Sequence, residues 1–225
     1  MQNRLTSNLL LLLFLLPLFQ GSCKKANNSD PLKFINDSST LKYDETIVLK
    51  TNHPENSIDW SSSNPYVAEI DQNGLLTAMH IGRTIIKARF NEQIIEKEIT
   101  VNPYVEDIQE PILIADAKIQ EIESKEKRKL INKSFMVSEY ESSSAYGKTI
   151  FYIFSNQKVS SSGIIFGVVD AQKEHTIRTF FKERYILDHS DGDNMNFSNE
   201  YQNLKIVLDK DGNKRLIAIY IHYNE

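Results

Sequence analysis

The sequence predicts an all-β sandwich followed by an α+β domain, and three observations lead there. A chain of 225 residues exceeds what one sandwich needs and gives two modest domains room for separate cores. Between residues 31 and 102, short runs of alternating apolar and polar residues recur between Asn, Asp, Gly, Pro and Ser clusters, the rhythm of strands that turn back quickly over a shared core. In residues 103–225, two stretches of helical spacing each precede a set of aromatic and β-branched runs, the order expected of helices packed on one face of an antiparallel sheet.

Charged residues at 25% and hydrophobic residues at 40% are ordinary for a globular protein. The formal net charge of −4, with no dense basic stripe, argues against non-specific binding to nucleic acid or anionic lipid. Cys23 is the only cysteine, so an intramolecular disulfide or a thiolate zinc site is impossible.

Residues 1–22 read as an export signal: Arg4 in a polar start, an apolar run over residues 9–19, then Gly21 and Ser22. The run is too short to span a bilayer comfortably and is interrupted by Pro17, so a signal peptide fits better than a transmembrane helix. Ending on Cys23, the segment resembles a bacterial lipoprotein lipobox, with Gln20 where the common pattern has an aliphatic residue. The resemblance implies lipid attachment at Cys23; ordinary cleavage nearby, leaving a free thiol, is the alternative. Several acyl chains, at about 0.8 kcal/mol per buried methylene, would hold the protein on its membrane. Residues 23–30 then form a polar leash. The expected location is the outer membrane, on the periplasmic or the outer side.

In residues 31–102, Phe34, Leu41, Ile47, Val48 and Leu49 open the apolar series. Ile58 and Trp60 alternate with Asp59 and so share a face, with Trp60 as the centre of the core. Residues 61–65 cannot readily continue a strand because Pro65 lacks an amide donor and restricts Asn64, so they should carry the chain to the opposite sheet. Ala68 and Ile70, then a tight turn over residues 71–74, then Leu76 and Ala78 form a hairpin, with Asn73-Gly74 suited to positive φ. Gly82, Thr84, Ile86 and Ala88 alternate on the next strand, residues 91–93 form the last hairpin tip, and Ile95, Ile99 and Val101 close the fold. These patterns, W-S-S-S-N-P at residues 60–65, D-x-N-G-L at 71–75 and G-x-T-x-I-x-A at 82–88, resemble the bacterial immunoglobulin-like domain of group 2. The resemblance implies a sandwich displayed beyond a bacterial membrane for adhesion or spacing, and carries no catalytic motif. Tyr43-Asp44-Glu45 departs from it, since many members have a glycine there.

Asn102-Pro103 ends the sandwich, and a brief connector through Pro111 should keep the domains close. A helix is expected from Asp116, capped by that residue, with Glu121 and Glu123 early, Lys125, Lys127, Arg128 and Lys129 late, and an apolar stripe of Ile119, Ile122, Leu130 and Ile131. Strands are expected at residues 135–140, 149–154 and 163–169, a second helix at 172–187 through Ile177, Phe180, Phe181 and Tyr185, and further strands at 195–201, 204–208 and 216–223, the last pair joined by a hairpin over 209–213. The order describes a possible doubled αβββ unit.

Residues 188–194 are the one cluster resembling a cation loop, yet counting from Asp191 places Met195 at the fifth position, so a solvated turn is the better reading. His53, His80, His175, His189 and His222 lack ligand spacing, and no nucleophile elbow, phosphate loop or dinucleotide fingerprint is present. No cofactor or metal is therefore expected. Tyr140, Tyr146, Tyr152, Tyr185, Tyr201, Tyr220 and Tyr223 should mostly be packing, while a subset exposed together would form a platform for a sugar ring or protein edge. The function expected is that of a non-enzymatic binding or adhesion protein, with a membrane and a protein or glycan as partners. The alternative is an accessory protein or cryptic hydrolase acting on envelope or dietary glycans. A cleft gathering carboxylates with His175 or His189 would favour that alternative.

Overall fold

The computed structural model describes residues 30–223. The export signal, Cys23 and nearly all of the leash lie outside the described residues. Leu32–Glu225 form one compact unit that contains two hydrophobic cores.

The first core is enclosed by two sheets. One has the order β1 (Thr40–Lys42), β7 (Gln93–Asn102), β6 (Gly82–Phe90), β3 (Asp59–Ser62); the other runs β2 (Thr46–Val48), β5 (Leu75–Ala78), β4 (Ala68–Ile70). The expected alternation holds: Ile58, Trp60, Ala68, Leu76, Thr84, Ile86, Ala88 and Ile99 are all buried between the sheets. Residues 63–67 carry the chain from β3 in one sheet to β4 in the other, as Pro65 requires. Gly74 closes the β4–β5 turn at φ +78, whereas Asn73 stays out of the left-handed region. A Cβ on Gly74 would stand 2.5 Å from the Leu49 carbonyl oxygen and 3.3 Å from the Trp60 ring, so this turn must be glycine to let the tryptophan approach. At the departure from the family pattern, Asp44 itself takes φ +65, and the segment is a switch of sheets from β1 to β2 rather than a hairpin.

The second core lies on one face of a single antiparallel sheet. Its eight strands are β8 (Leu130–Lys133), β9 (Val137–Glu141), β10 (Thr149–Ser155), β11 (Lys158–Gly167), β12 (Ile186–Ser190), β13 (Met195–Asn199), β14 (Leu204–Lys210) and β15 (Leu216–His222). They lie in the order β12-β13-β14-β15-β11-β10-β9-β8. Helices α1 (Ile119–Lys125) and α2 (Ala171–Lys182) precede the two four-stranded halves. The doubled unit is thus αββββ, one strand longer than expected. Both helices contribute to the same core, through Ile122 and through Ile177, Phe180 and Phe181, against alternate residues such as Ile150, Tyr152, Ile206 and Tyr220.

Four expectations need correction. Helix α1 stops at Lys125, because Glu126 turns to extended backbone (ψ 123) and its carboxylate accepts from the Lys127 and Arg128 amides, the Arg128 guanidinium and the Tyr152 hydroxyl. Leu130 and Ile131 are therefore not a helical stripe but exposed residues of edge strand β8. Asp116 does not cap α1: it sits at φ +56 and pairs with Lys158, and Lys118 takes the cap position without a side-chain bond. Helix α2 ends at Lys182, and Ile186–Ser190 form the other edge strand, while Asp170 caps the helix by accepting from the Lys173 amide. Strand β11 starts five residues earlier than expected, through serines, because Asn156 and Gln157 both adopt positive φ and make a tight two-residue hairpin with β10.

The opposite face of the eight-stranded sheet carries Phe151, Ile153, Ile165, Val207, Ile217 and Ile219, none of which joins either core. The tip of the Phe151 ring covers Gly163, where a Cβ would meet Cζ at 2.4 Å.

Candidate binding cleft between the two domains

The segment that follows β7 is not a loose connector. Glu183, at the C-terminal end of α2, is wholly buried, and its carboxylate accepts from the Tyr104 amide at 2.7 Å and the Val105 amide at 3.2 Å. Arg184 pairs with the same carboxylate, donates to the Val105 carbonyl at 2.9 Å and lies 3.8 Å over the Phe180 ring. The Ig-side residues are held by the same corner: the Ile81 amide donates to the Glu183 carbonyl at 2.8 Å, and the Tyr66 hydroxyl donates to the Arg184 carbonyl. Tyr66 stacks on His80 at 4.1 Å, and its edge meets Tyr201 at 5.8 Å; burial and the nearby Tyr201 push the Tyr66 phenol up to about 12. Further along, Val105 and Ile108 enter the second core, and the half-buried Glu110 accepts from the Tyr185 and Tyr220 hydroxyls at 2.6 and 2.9 Å. Burial holds the Glu110 carboxyl above its ordinary range against the opposing pull of those hydroxyls and Arg184.

This clamp leaves a cleft of about 470 Å³ beside it, lined by Tyr43, Asp44, Glu45, Tyr104, His175, Thr176 and Thr179. A second recess of about 290 Å³ shares Tyr43 and Asp44 and reaches His80, Lys182 and Leu187. The first is within the usual size range of small-ligand sites. Its walls come from both domains: the β1–β2 switch supplies Tyr43, Asp44 and Glu45, the connector supplies Tyr104, and the exposed side of α2 supplies His175 and the two threonines. Glu45 is partly engaged, accepting from the Lys42 amide at 2.8 Å and reached by the Tyr104 hydroxyl at 3.5 Å. Lys42 lies 5.0 Å over the Tyr104 ring, fixing it in place. Both phenols are raised above their ordinary value, first by burial and then by the surrounding carboxylates, so each stays a hydrogen-bond donor at neutral pH.

Most of the second domain's tyrosines are packing residues, as their places in strands and on the helix face imply. Tyr140, Tyr152, Tyr185 and Tyr220 are core residues, and Tyr201, at 80% exposed, is isolated from them, so the second domain builds no tyrosine platform. Residues 188–194 form part of β12 and a solvated turn in which Asp193 pairs with Lys210 and Asp191 accepts from the Asn194 amide. His189 and His222 stand on β12 and β15, away from His175 in the cleft. Among the described residues, no group of three or more His, Cys, Asp or Glu side chains is placed to hold a metal, and no helix is long and apolar enough to cross a membrane.

Residues 35–101 match the bacterial Ig-like domain (group 2). The segment that switches sheets at Asp44 and the tryptophan-centred sandwich are therefore features of this Ig-like domain. No curated protein matches the chain. Among solved structures, a mutant of intimin from EHEC O157:H7 is similar at 15% identity and a TM-score of 0.28, covering 50% of this chain and 86% of that one. Domains 4–9 of the surface layer protein SbsC are similar at 9% identity and a TM-score of 0.29, covering 87% of this chain but only 27% of that one. The cleft was missed in sequence because its lining is split between residues 43–45, 104 and 175–179, which only the clamp brings together.

Proposed function

We propose that the protein is a cell-envelope lipoprotein, tethered through Cys23, that binds a glycan in the cleft beside its Ig-like domain. The carrying observation is the cleft itself: two tyrosines, hydroxyls and carboxylates facing one recess whose walls are locked together by Glu183 and Arg184. Sugars present apolar ring faces bordered by hydroxyls, and aromatic rings next to hydrogen-bonding side chains complement both. The Ig-like match supports a presenting role, with the sandwich holding the second domain off the membrane.

Binding of the chain lacking residues 1–23 to an array of envelope and plant glycans tests the reading. Tyr104→Ala and His175→Ala should each weaken retention with an unchanged circular dichroism spectrum; no retained glycan, or retention indifferent to both changes, overturns it. Lipidation is tested separately, since Cys23→Ser should release the full chain from membranes. A second reading, hydrolysis of the bound glycan, is favoured by the placement of Asp44 and Glu45 in one cleft with His175. Turnover abolished by Asp44→Asn would establish that reading over simple binding.

A further inference from the structure

We infer that the glycan held in the interdomain cleft carries a free, positively charged amino group, as an unacetylated amino sugar does; this rests on the glycan reading of the cleft. The reason lies in the hydrogen-bonding capacity its walls have left. The Thr176 hydroxyl donates to the Gln172 carbonyl at 3.1 Å, and the Thr179 hydroxyl to the His175 carbonyl at 3.0 Å. Each threonine therefore has only lone pairs to offer a ligand. The Tyr104 hydroxyl is turned toward Glu45 at 3.5 Å, and the carboxylates of Asp44 and Glu45 can only accept. Tyr43 and His175 are the remaining lining side chains able to donate. An ammonium group complements such a wall, with three donors, no acceptor and a positive charge. An acetamido group in its place brings one donor and a carbonyl that needs a donor from the wall, and an acidic sugar brings acceptors alone.

Charge selects in the same direction. The walls of the cleft include two carboxylates and no lysine or arginine. Glu45 gives one oxygen to the Lys42 amide at 2.8 Å, while the Asp44 carboxylate has no hydrogen-bond or ion-pair partner among the described residues and lines both recesses. The cations nearby are committed elsewhere. Arg184 pairs with the buried Glu183, Lys42 donates to the Pro103 carbonyl at 3.1 Å while lying over the Tyr104 ring, and Lys182 belongs to the second recess. Burial and then Asp44 raise the Tyr43 phenol, so the field of this carboxylate is felt at a ring on which a sugar would stack. Lys42 on Tyr104 shows an ammonium already seated against an aromatic ring at this corner.

The test is isothermal titration calorimetry, at about pH 7, of the chain lacking residues 1–23 with a glucosamine tetramer and with its fully N-acetylated counterpart. An amine beside electron-withdrawing groups titrates near about 7.7–8.0, so most of it is charged under these conditions. The unacetylated tetramer should bind at least about tenfold more tightly, the worth of one charge-assisted contact, and should lose much of that preference in about 0.5 M salt. Asp44→Asn, a change that keeps a residue tolerant of the φ of +65 at this position, should cut the preference to about threefold or less. Glu45→Gln, which keeps an acceptor for the Lys42 amide, should lower it as well and carries the test if Asp44→Asn does not fold. Equal binding of the two tetramers, or a preference for the acetylated one, overturns the inference and leaves the glycan reading standing. The same holds if neither tetramer binds while other glycans are retained on the array. A preference undiminished in both variants also overturns it, by placing the amine outside this cleft. An array that retains nothing removes the glycan reading itself, and the inference with it.

Discussion

Replacing Glu183 with alanine removes, in one change, the acceptor for the Tyr104 and Val105 amides and the counter-charge of Arg184. Breaking a buried ion pair by truncating one partner costs about 3–5 kcal/mol, and each buried amide left without an acceptor about 1–3 kcal/mol. These costs overlap, because a single carboxylate makes all three contacts. Arg184 also keeps the Val105 and Phe180 carbonyls and its seat on the Phe180 ring, which places the total near the lower limit, at about 3 kcal/mol. Glu183→Gln, which retains one acceptor oxygen, should cost about 1–2 kcal/mol. The assay is urea unfolding followed both by the fluorescence of Trp60, the only tryptophan, and by far-ultraviolet circular dichroism, which senses both domains. In the wild type the two curves should coincide. In Glu183→Ala the midpoints should fall and separate, and the exposed Glu106-Asp107 stretch should become sensitive to protease. Coincident curves with unmoved midpoints would show that the clamp does not couple the two domains.

Three further outcomes follow from the same geometry. Glu110 has its carboxyl raised by burial, so the native state holds the proton more tightly than the unfolded chain does; the stability this provides is complete below the unfolded value and is lost as pH rises through the folded one. Glu110→Gln should flatten that decline, which sets in as pH rises above the ordinary carboxylate range, and urea midpoints that stay parallel to wild type would refute the assignment. Gly163→Ala sets a methyl group 2.4 Å from the Ala218 carbonyl oxygen and from the Phe151 ring, and a thermal melt should register a loss of about 1–3 kcal/mol; an unchanged melt would mean the strands can part there. Asp44→Gly relieves a left-handed residue where many Ig-like domains carry glycine and should stabilise by at most about 1 kcal/mol in urea, a destabilisation showing instead that the aspartate side chain holds the turn.

Much of the first domain was legible because its signals are local. Pro65 and Gly74 dictate where a strand must end or turn, and the alternation around Trp60 assigns each residue to a face without knowledge of its partners. In the second domain the same reasoning failed where a tertiary contact outweighed local preference. A run of basic residues with Leu130 and Ile131 reads as the end of a helix, but the carboxylate of Glu126 captures Arg128 and the Tyr152 hydroxyl, and the chain leaves the helix to become β8. Ile186 and Leu187 likewise fit the helical spacing of α2, yet they form an edge strand once Glu183 has turned inward.

By itself the sequence determined a tryptophan-centred sandwich and two helices preceding two sets of strands. Those follow from periodicity and from the steric limits of Pro and Gly, which act over a few residues. The tertiary structure alone decided that the two halves share one sheet, that Glu183 binds the connector, and that residues 43–45 and 175–179 face each other across a cleft. Burial of a carboxylate on backbone amides about 80 positions away is set by the packing of whole domains, and no local pattern encodes it.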